Sequence, residues 1–407
     1  MDVIPHRTGT AEIVLTTGGG APLAHHEVTV EQTRHAFGFG NIGFDLIPHA
    51  CGEEDATPLA EAWLGLFDTA TLPFYWGRFE PERGRPDTAR LLTAARWFAE
   101  RGVRLKGHPL VWHTVKAPWL DPLPSDEAER LLRERVAREV ADFADMIDAW
   151  DAINEVAIMP VFENEPDGVP NAVSRLARQL GRTGIVRLAF ETARAANPSA
   201  TLLINDFDLS ERYERVIEDA LETGVRIDAI GLQTHMHQGY RGEEWLLAKA
   251  DRFARFGLPL HFTEVSLVSG RLMPPEIDDL NDYVVDEWPS TPEGEQRQAD
   301  ELERMYRALV AHPAVAAITY WGISDAGAWL GAPIGLLRAD GSRKPSYDRL
   351  HALIRGEWWL APTPLRTDGD GRVRVEGWRG RYRVATGAAS AEFELSGSAD
   401  GPVPVQL

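Results

Sequence analysis

Between about residues 36 and 355 the chain switches eight times from a short apolar or β-branched run to an amphipathic helical pattern, a rhythm that few architectures satisfy. The strand-like runs are HAFGFGNIG, TATLPFYWG, VRLKGHPLVWH, IDAWDAINE, ATLLINDFD, RIDAIGLQTH, PLHFTEVS and VAAITYWGISD. Helical stretches such as DTARLLTAARWFAERG, EAERLLRERVAREVADFADM, ERYERVIEDALETG and EQRQADELERMYRALVAHP lie between them, with apolar residues three and four apart. Strands covered on the outside read as nearly continuous apolar runs, so the pattern predicts an α/β fold, a parallel (β/α)8 TIM barrel. A doubly wound sheet would need a Gly-rich phosphate fingerprint after its first strand, and none is present there.

The flanks have a different period. TAEIVLTTGGGAPLAHHEVTVEQTR (10–34) and RVRVEGWRGRYRVATGAASAEFELSG, within 358–407, alternate in steps of two with Gly turns, the pattern of antiparallel strands. The expected division is an N-terminal β-segment over 1–35, the barrel over 36–357 and a C-terminal β-segment over 358–407. The two ends should meet in one small accessory β-module.

Composition narrows the partners. With 407 residues and 44% hydrophobic content the chain has ample material for a large core. Forty-two basic against 62 acidic residues give a formal charge of −20, which disfavours nucleic acid or an anionic membrane surface and leaves a neutral ligand as the better match. One cysteine, Cys51, excludes an intrachain disulfide framework. MDVIPHRTGT has neither the basic start nor the apolar run of a secretory signal, so a cytoplasmic protein is expected, or a secreted one if the chain is a trimmed mature form. No apolar run reaches membrane-spanning length. Thirteen Trp, several beside Gly, Asp, His or Pro, serve either as ligand platforms or as core packing. Oligomeric state is open.

On a parallel barrel the strand ends gather on one face, and that face carries the chemistry. Polar residues end most of the runs: His108 and Trp112–His113 on the third, Asn154–Glu155 on the fourth, Asn205–Asp206 on the fifth, Gln233 and His235 on the sixth, Glu264 on the seventh, Trp321 and Asp325 on the eighth. One such residue is an ordinary turn; repeated around a barrel they make a candidate site. Glu155 and Glu264 close strands on opposite sides of the mouth. There a separation of about 5–5.5 Å lets one attack a sugar anomeric carbon while the other protonates the leaving oxygen. The acid must then hold a proton near neutrality and the nucleophile must not. Asn154 can reach a sugar 2-hydroxyl, a bond that strengthens in the transition state. His235 either hydrogen-bonds Glu264 and keeps it ionised or is a core histidine bonded to backbone.

GHPLVWH (107–113), WDAINE (150–155), NDFD (205–208), IGLQTHM (230–236), FTEVS (262–266), YWGISDAGAW (320–329) and KPSYD (344–348) together resemble glycoside hydrolase family 10, the retaining β-xylanases. They fall in the family's order, and the flanks look like those of its plant-type members. The resemblance implies a (β/α)8 barrel hydrolysing carbohydrate, xylo-oligosaccharide or another β-glycoside, with no cofactor and no metal. Glu155 would be the general acid/base and Glu264 the nucleophile. His108, Trp112, Asn154, Gln233, His235, Trp321 and Trp329 would line the subsite of the sugar under attack, with Tyr75 beside them.

Two departures stand out. Where the family carries Glu-Asn, two residues, then Lys-Trp, this chain has Thr71, Leu72 and Tyr75 before Trp76. Polar contacts carry specificity, so altered glycone recognition is expected. Ser266 replaces an Asp two residues after the nucleophile, which removes a negative charge near His235 and should lower its pKa. Two alternatives come from other classes. His235 and His237 can grip a divalent ion as part of a metal-dependent hydrolase, although Gln, Asn and Trp occupy the positions where further ligands are needed. A non-catalytic sugar-binding barrel would explain the missing polar groups, although both glutamates are kept.

Overall fold

The computed structural model describes residues 4–163, 170–397 and 401–407, so residues 1–3 of the stretch read for a signal and 398–400 of the last β-segment lie outside it. β1 (Thr8–Thr16) and β2 (Glu27–His35) come first. The barrel follows: β3 (Gly38–Ile42), β4 (Thr69–Pro73), β5 (Arg104–His108), β6 (Ala149–Asn154), β7 (Thr201–Asp206), β8 (Ala229–Met236), β9 (Leu260–Leu267) and β10 (Val315–Tyr320). These are the eight runs expected, all parallel, and β10 pairs with β3 to close the cylinder. β11 (Thr363–Arg366), β12 (Arg372–Trp378), β13 (Gly380–Thr386), β14 (Ala389–Leu395) and β15 (Val403–Gln406) complete the chain.

The helices form because their apolar residues recur on one face. Thr88–Ala99 buries Leu91, Ala94, Ala95 and Phe98 against the barrel. Helix starts are capped: the Ser210 hydroxyl accepts from Arg212 N and the Thr291 hydroxyl from Gly294 N, satisfying amides that have no partner within the helix. The Arg/Glu-rich helix Ser125–Asp142 differs in part from the solvated face its sequence suggests. Arg130–Glu134 and Arg133–Glu129 do pair four residues apart on the surface. Arg135 and Glu139, however, are buried, and the Arg135 guanidinium donates to the carbonyls of Phe74, Pro109 and Leu110. A buried guanidinium needs several acceptors, and here they are the loops that follow β4 and β5.

The two flanks meet as expected. One sheet orders β12-β1-β15 and the other β11-β2-β13-β14, enclosing Ile13, Val30, Val375, Tyr382, Phe393 and Leu395. One pairing departs from the antiparallel expectation: β15 lies parallel to β1. A two-residue alternation reports which face is buried, not strand direction, so this was not legible. Trp358 sits at the seam, stacked on Phe39 of β3 at 5.8 Å and 5.7 Å from Trp378 of β12. Arg7 fastens the module by donating to the carbonyls of Val310 and His312. Among the described residues no helix is long and apolar enough to cross a membrane.

Candidate active site

Strand register brings the polar ends together. β6 pairs with β7 so that Asn154 lies beside Asn205, after an irregularity between Asp151 and Ile153. β8 pairs with β9 so that Gln233 faces Glu264 and His235 faces Ser266, again just past a shift. Irregularities of this kind re-aim side chains.

Asn205 is the hub. Its hydroxyl neighbour Thr263 donates to Oδ1 at 2.6 Å, which directs Nδ2 at both Asn154 Oδ1 (2.8 Å) and Glu264 Oε1 (2.9 Å). Asn154 Oδ1 also accepts from Gln233 Nε2 at 3.0 Å, so the Asn154 amide nitrogen is left for Glu155 Oε1 at 3.2 Å. Neighbouring amides thus bind both carboxylates. Gly231 makes room for the hub: a Cβ there would meet Asn205 Oδ1 at 2.3 Å.

Glu155 stands one residue past β6 with φ +57°, a left-handed backbone uncommon for a side chain of its size. The turn is clamped from several sides. Glu155 N donates to Asn205 O at 2.8 Å, Ala157 N to Asp206 Oδ2 at 2.9 Å, and Arg182 Nε to Ala157 O at 2.9 Å. Arg182 follows Gly181, whose φ of 72° kinks the helix Ala172–Ala196. The carboxylate accepts from Trp112 Nε1 at 2.8 Å. Burial pushes it up to about 8, and the charges of Glu264 and Asp206 add to the rise against the Trp112 hydrogen bond.

Glu264 is the more enclosed of the two, its side chain 7% exposed against 13% for Glu155, yet it lies below the usual carboxylate range. Burial alone would raise it, but His108 (Nε2 3.9 Å from Oε1), the His235 Nε2 contact at 3.2 Å and Lys106 more than offset that. His108 is oriented through Nδ1 by Asp151 at 2.7 Å, which also lies 2.7 Å from Lys106 Nζ. Behind His235, Nδ1 meets Ser266 Oγ at 2.9 Å, and the same hydroxyl is 3.1 Å from His237 Nε2. Burial pushes His237 down to about 3, so it stays neutral. Ser266 therefore ties the two histidines together, and among the described residues no group of three His, Cys, Asp or Glu is arranged to hold an ion.

Aromatic residues complete the mouth. Trp321 contacts His108 at 5.2 Å, Trp329 contacts His235 at 4.9 Å, and Tyr75 lies 5.6 Å from both His108 and Trp112. Burial and the nearby Glu264 charge raise the Tyr75 phenol well above its ordinary range, so it is neutral. Thr71 and Leu72 are fully buried beneath.

Every residue singled out as catalytic or sugar-binding falls in this cluster, but two other strand-end residues play different parts. Asp325 is engaged by Lys344 Nζ at 2.7 Å and Gly335 N at 2.9 Å, a structural ion pair. His113 packs on Phe162 with ring centroids 4.2 Å apart, is pushed down to about 3 by burial, and lies at the edge of contact with Glu155, 4.0 Å away. Sequence reasoning missed Phe44, Arg182 and Thr263. Thr263 on β9 meets Asn205 on β7 only across the intervening β8, and Phe44 looks like any apolar residue after a strand.

Paired buried carboxylates leaning to opposite protonation states at the C-terminal mouth of a (β/α)8 barrel are the equipment of a glycoside hydrolase. The chain belongs to glycosyl hydrolase family 10, whose family profile matches residues 71–352. It is 28% identical over 290 residues to the endo-1,4-beta-xylanase/feruloyl esterase of Xylanibacter ruminicola, covering 65% of this chain and 39% of that protein's length. It is 26% identical to endo-1,4-beta-xylanase A of Caldicellulosiruptor saccharolyticus, covering 61% of this chain and 72% of that protein. Its fold is like that of the intracellular xylanase of Thermoanaerobacterium saccharolyticum, solved as a mutant complex with xylotetraose. The TM-score is 0.61 at 20% identity, over 77% of this chain and 95% of that one.

Proposed function

We propose that the protein is a retaining β-glycoside hydrolase of the xylanase type, with altered glycone specificity, acting on xylo-oligosaccharides or other β-glycosides. Glu264 attacks the anomeric carbon while protonated Glu155 delivers its proton to the leaving oxygen. In the second step Glu155 takes a proton from water, whose oxygen displaces Glu264 from the sugar. Asn154 bonds the 2-hydroxyl of the sugar under attack, and His108, Trp112, Gln233, His235, Trp321, Trp329 and Tyr75 line its subsite. His235 and Asn205 hold Glu264 ionised. The observation that carries this reading is the opposite lean of two carboxylates joined through one amide hub.

Thr71, Leu72 and Tyr75 motivate the altered specificity: the end of β4 offers no charged group to a sugar hydroxyl. Within this reading residues 36–357 form the catalytic unit, with 1–35 and 358–407 as its accessory module. A single cysteine and the likeness to an intracellular xylanase point to a cytoplasmic setting, which fractionation of the producing cell checks.

The test is intact mass followed by peptide mapping after incubation with activated 2-fluoro glycosides carrying xylosyl, xylobiosyl, glucosyl, galactosyl and arabinosyl groups. The expected result is one covalent adduct on Glu264. Sugar binding that Glu264→Gln leaves unchanged, with no adduct and no turnover, would replace the hydrolase by a sugar-binding barrel.

A further inference from the structure

On one half of the barrel mouth four rings close on one another. Phe44, two residues past β3, meets Tyr75 at 5.9 Å and 87°; Tyr75 meets His108 at 5.6 Å and 87°. His108 meets Trp321 at 5.2 Å and 78°, and Trp321 returns to Phe44 at 5.9 Å and 78°. The four come from consecutive strands, β10, β3, β4 and β5. All contacts are edge-to-face, the arrangement in which aromatic rings touch.

Spacing decides what passes. A pyranose held between two rings needs carbon contacts of about 3.5–4 Å on each face, so the flanking centroids must stand at least about 7 Å apart. None of the four contacts reaches that. The arc is also anchored. Tyr75 opens the short helix Trp76–Phe79, its carbonyl accepting from Arg78 and Phe79, and Gly43 N beside Phe44 donates to Thr71 O at 2.9 Å. Its hydrogen-bonding groups are few, the Tyr75 hydroxyl, the Trp321 indole N–H and His108 Nε2. His108 Nδ1 is taken by Asp151, and Thr71 and Leu72 are buried behind the rings. A second sugar here would have few groups to bond its hydroxyls and would depend on space that the ring contacts do not leave.

We propose that this aromatic arc makes the enzyme chain-end specific: it removes one sugar at a time from the non-reducing end of a β-linked oligosaccharide, or from a monoglycoside, instead of cutting inside a chain. The inference rests on the reading that His108 and Trp321 line the glycone subsite over Glu264. That sugar then abuts the arc, with no room for another beyond it. The reaction is hydrolysis: the C1–O bond breaks, water supplies hydroxide to C1 and a proton to the departing oxygen.

The experiment compares p-nitrophenyl β-xyloside with β-xylobioside, and β-glucoside with β-cellobioside, and follows the first products from xylohexaose reduced at its reducing end. The monoglycoside of the accepted sugar should exceed its disaccharide partner in kcat/KM for direct nitrophenol release by about tenfold or more. The reduced hexamer should give xylose and the five-unit alditol first. Phe44→Ala opens the arc and should lower the mono-to-disaccharide ratio by about tenfold. Xylobiose or xylotriose among the first products of the wild-type enzyme overturns chain-end specificity and leaves the hydrolase reading standing. No turnover of either pair together with no Glu264 adduct overturns both.

Discussion

Glu155 and Glu264 share one largely enclosed site and lean in opposite directions, one pushed up to about 8 and the other below the ordinary carboxylate range. Glu264 is the more enclosed of the two, so burial cannot be what lowers it while raising Glu155. Around Glu264 stand His108, His235 and Lys106; around Glu155 stand a neutral indole, an amide and two further carboxylates. Desolvation sets a penalty common to both, and the neighbours decide its sign.

The largest effect follows from removing either group. Glu264→Gln should lower kcat/KM by on the order of 10⁴ or more for every substrate. Glu155→Gln should spare substrates with activated leaving groups such as 2,4-dinitrophenyl, which need no proton. Equal losses in both variants across leaving groups would erase the distinction.

Stability against pH tests the same contrast without substrate. Glu155 is raised from 4.5 to about 8 on folding, so its ionisation destabilises the fold as pH rises from 4.5 towards 8. At about 1.4 kcal/mol per pKa unit the cost reaches at most about 5 kcal/mol. Glu155→Gln should therefore have a higher Tm than wild type at pH 8, with the gap closing near pH 4.5. Glu264 behaves oppositely: its lowered pKa contributes stability above the ordinary carboxylate value that is lost as pH falls through the folded pKa. A Tm difference for Glu155→Gln that shrinks with rising pH would contradict the assignment.

Smaller changes sharpen the comparison. The alkaline limb of the kcat/KM profile should fall near 8, and Asp206→Asn should move it down by less than about one unit by removing a neighbouring charge. A limb moving upward would mean that Asp206 acts only through the Ala157 clamp. Ser266→Ala frees His235 Nδ1 and His237 Nε2 from their shared hydroxyl. A loss of roughly fivefold in activity is expected, the worth of about one net hydrogen bond.

The barrel was legible because its strands are covered on both faces and therefore read as apolar runs, and the site because polar groups interrupt those runs at their ends. Less legible were residues whose role depends on what lies across the fold. Asp325 ends a strand like the others, yet Lys344, distant in sequence, engages it. Arg135 and Glu139 read as part of a charged surface stripe but are buried, because the loops after β4 and β5 supply carbonyls the helix pattern cannot reveal. Phe44 carried no signal at all, since an apolar residue after a strand has the same local pattern whether it fills a core or walls a cleft.

Local sequence determined the period of each segment, the polar strand ends and the identity of the paired glutamates, all of which follow from what a residue and its near neighbours prefer. Tertiary structure decided which carboxylate keeps its proton, how Asn205 joins the two, and where the aromatic arc closes. Those properties depend on distances between strands, and electrostatic and packing energies at such sites are set by what lies within a few ångströms in space.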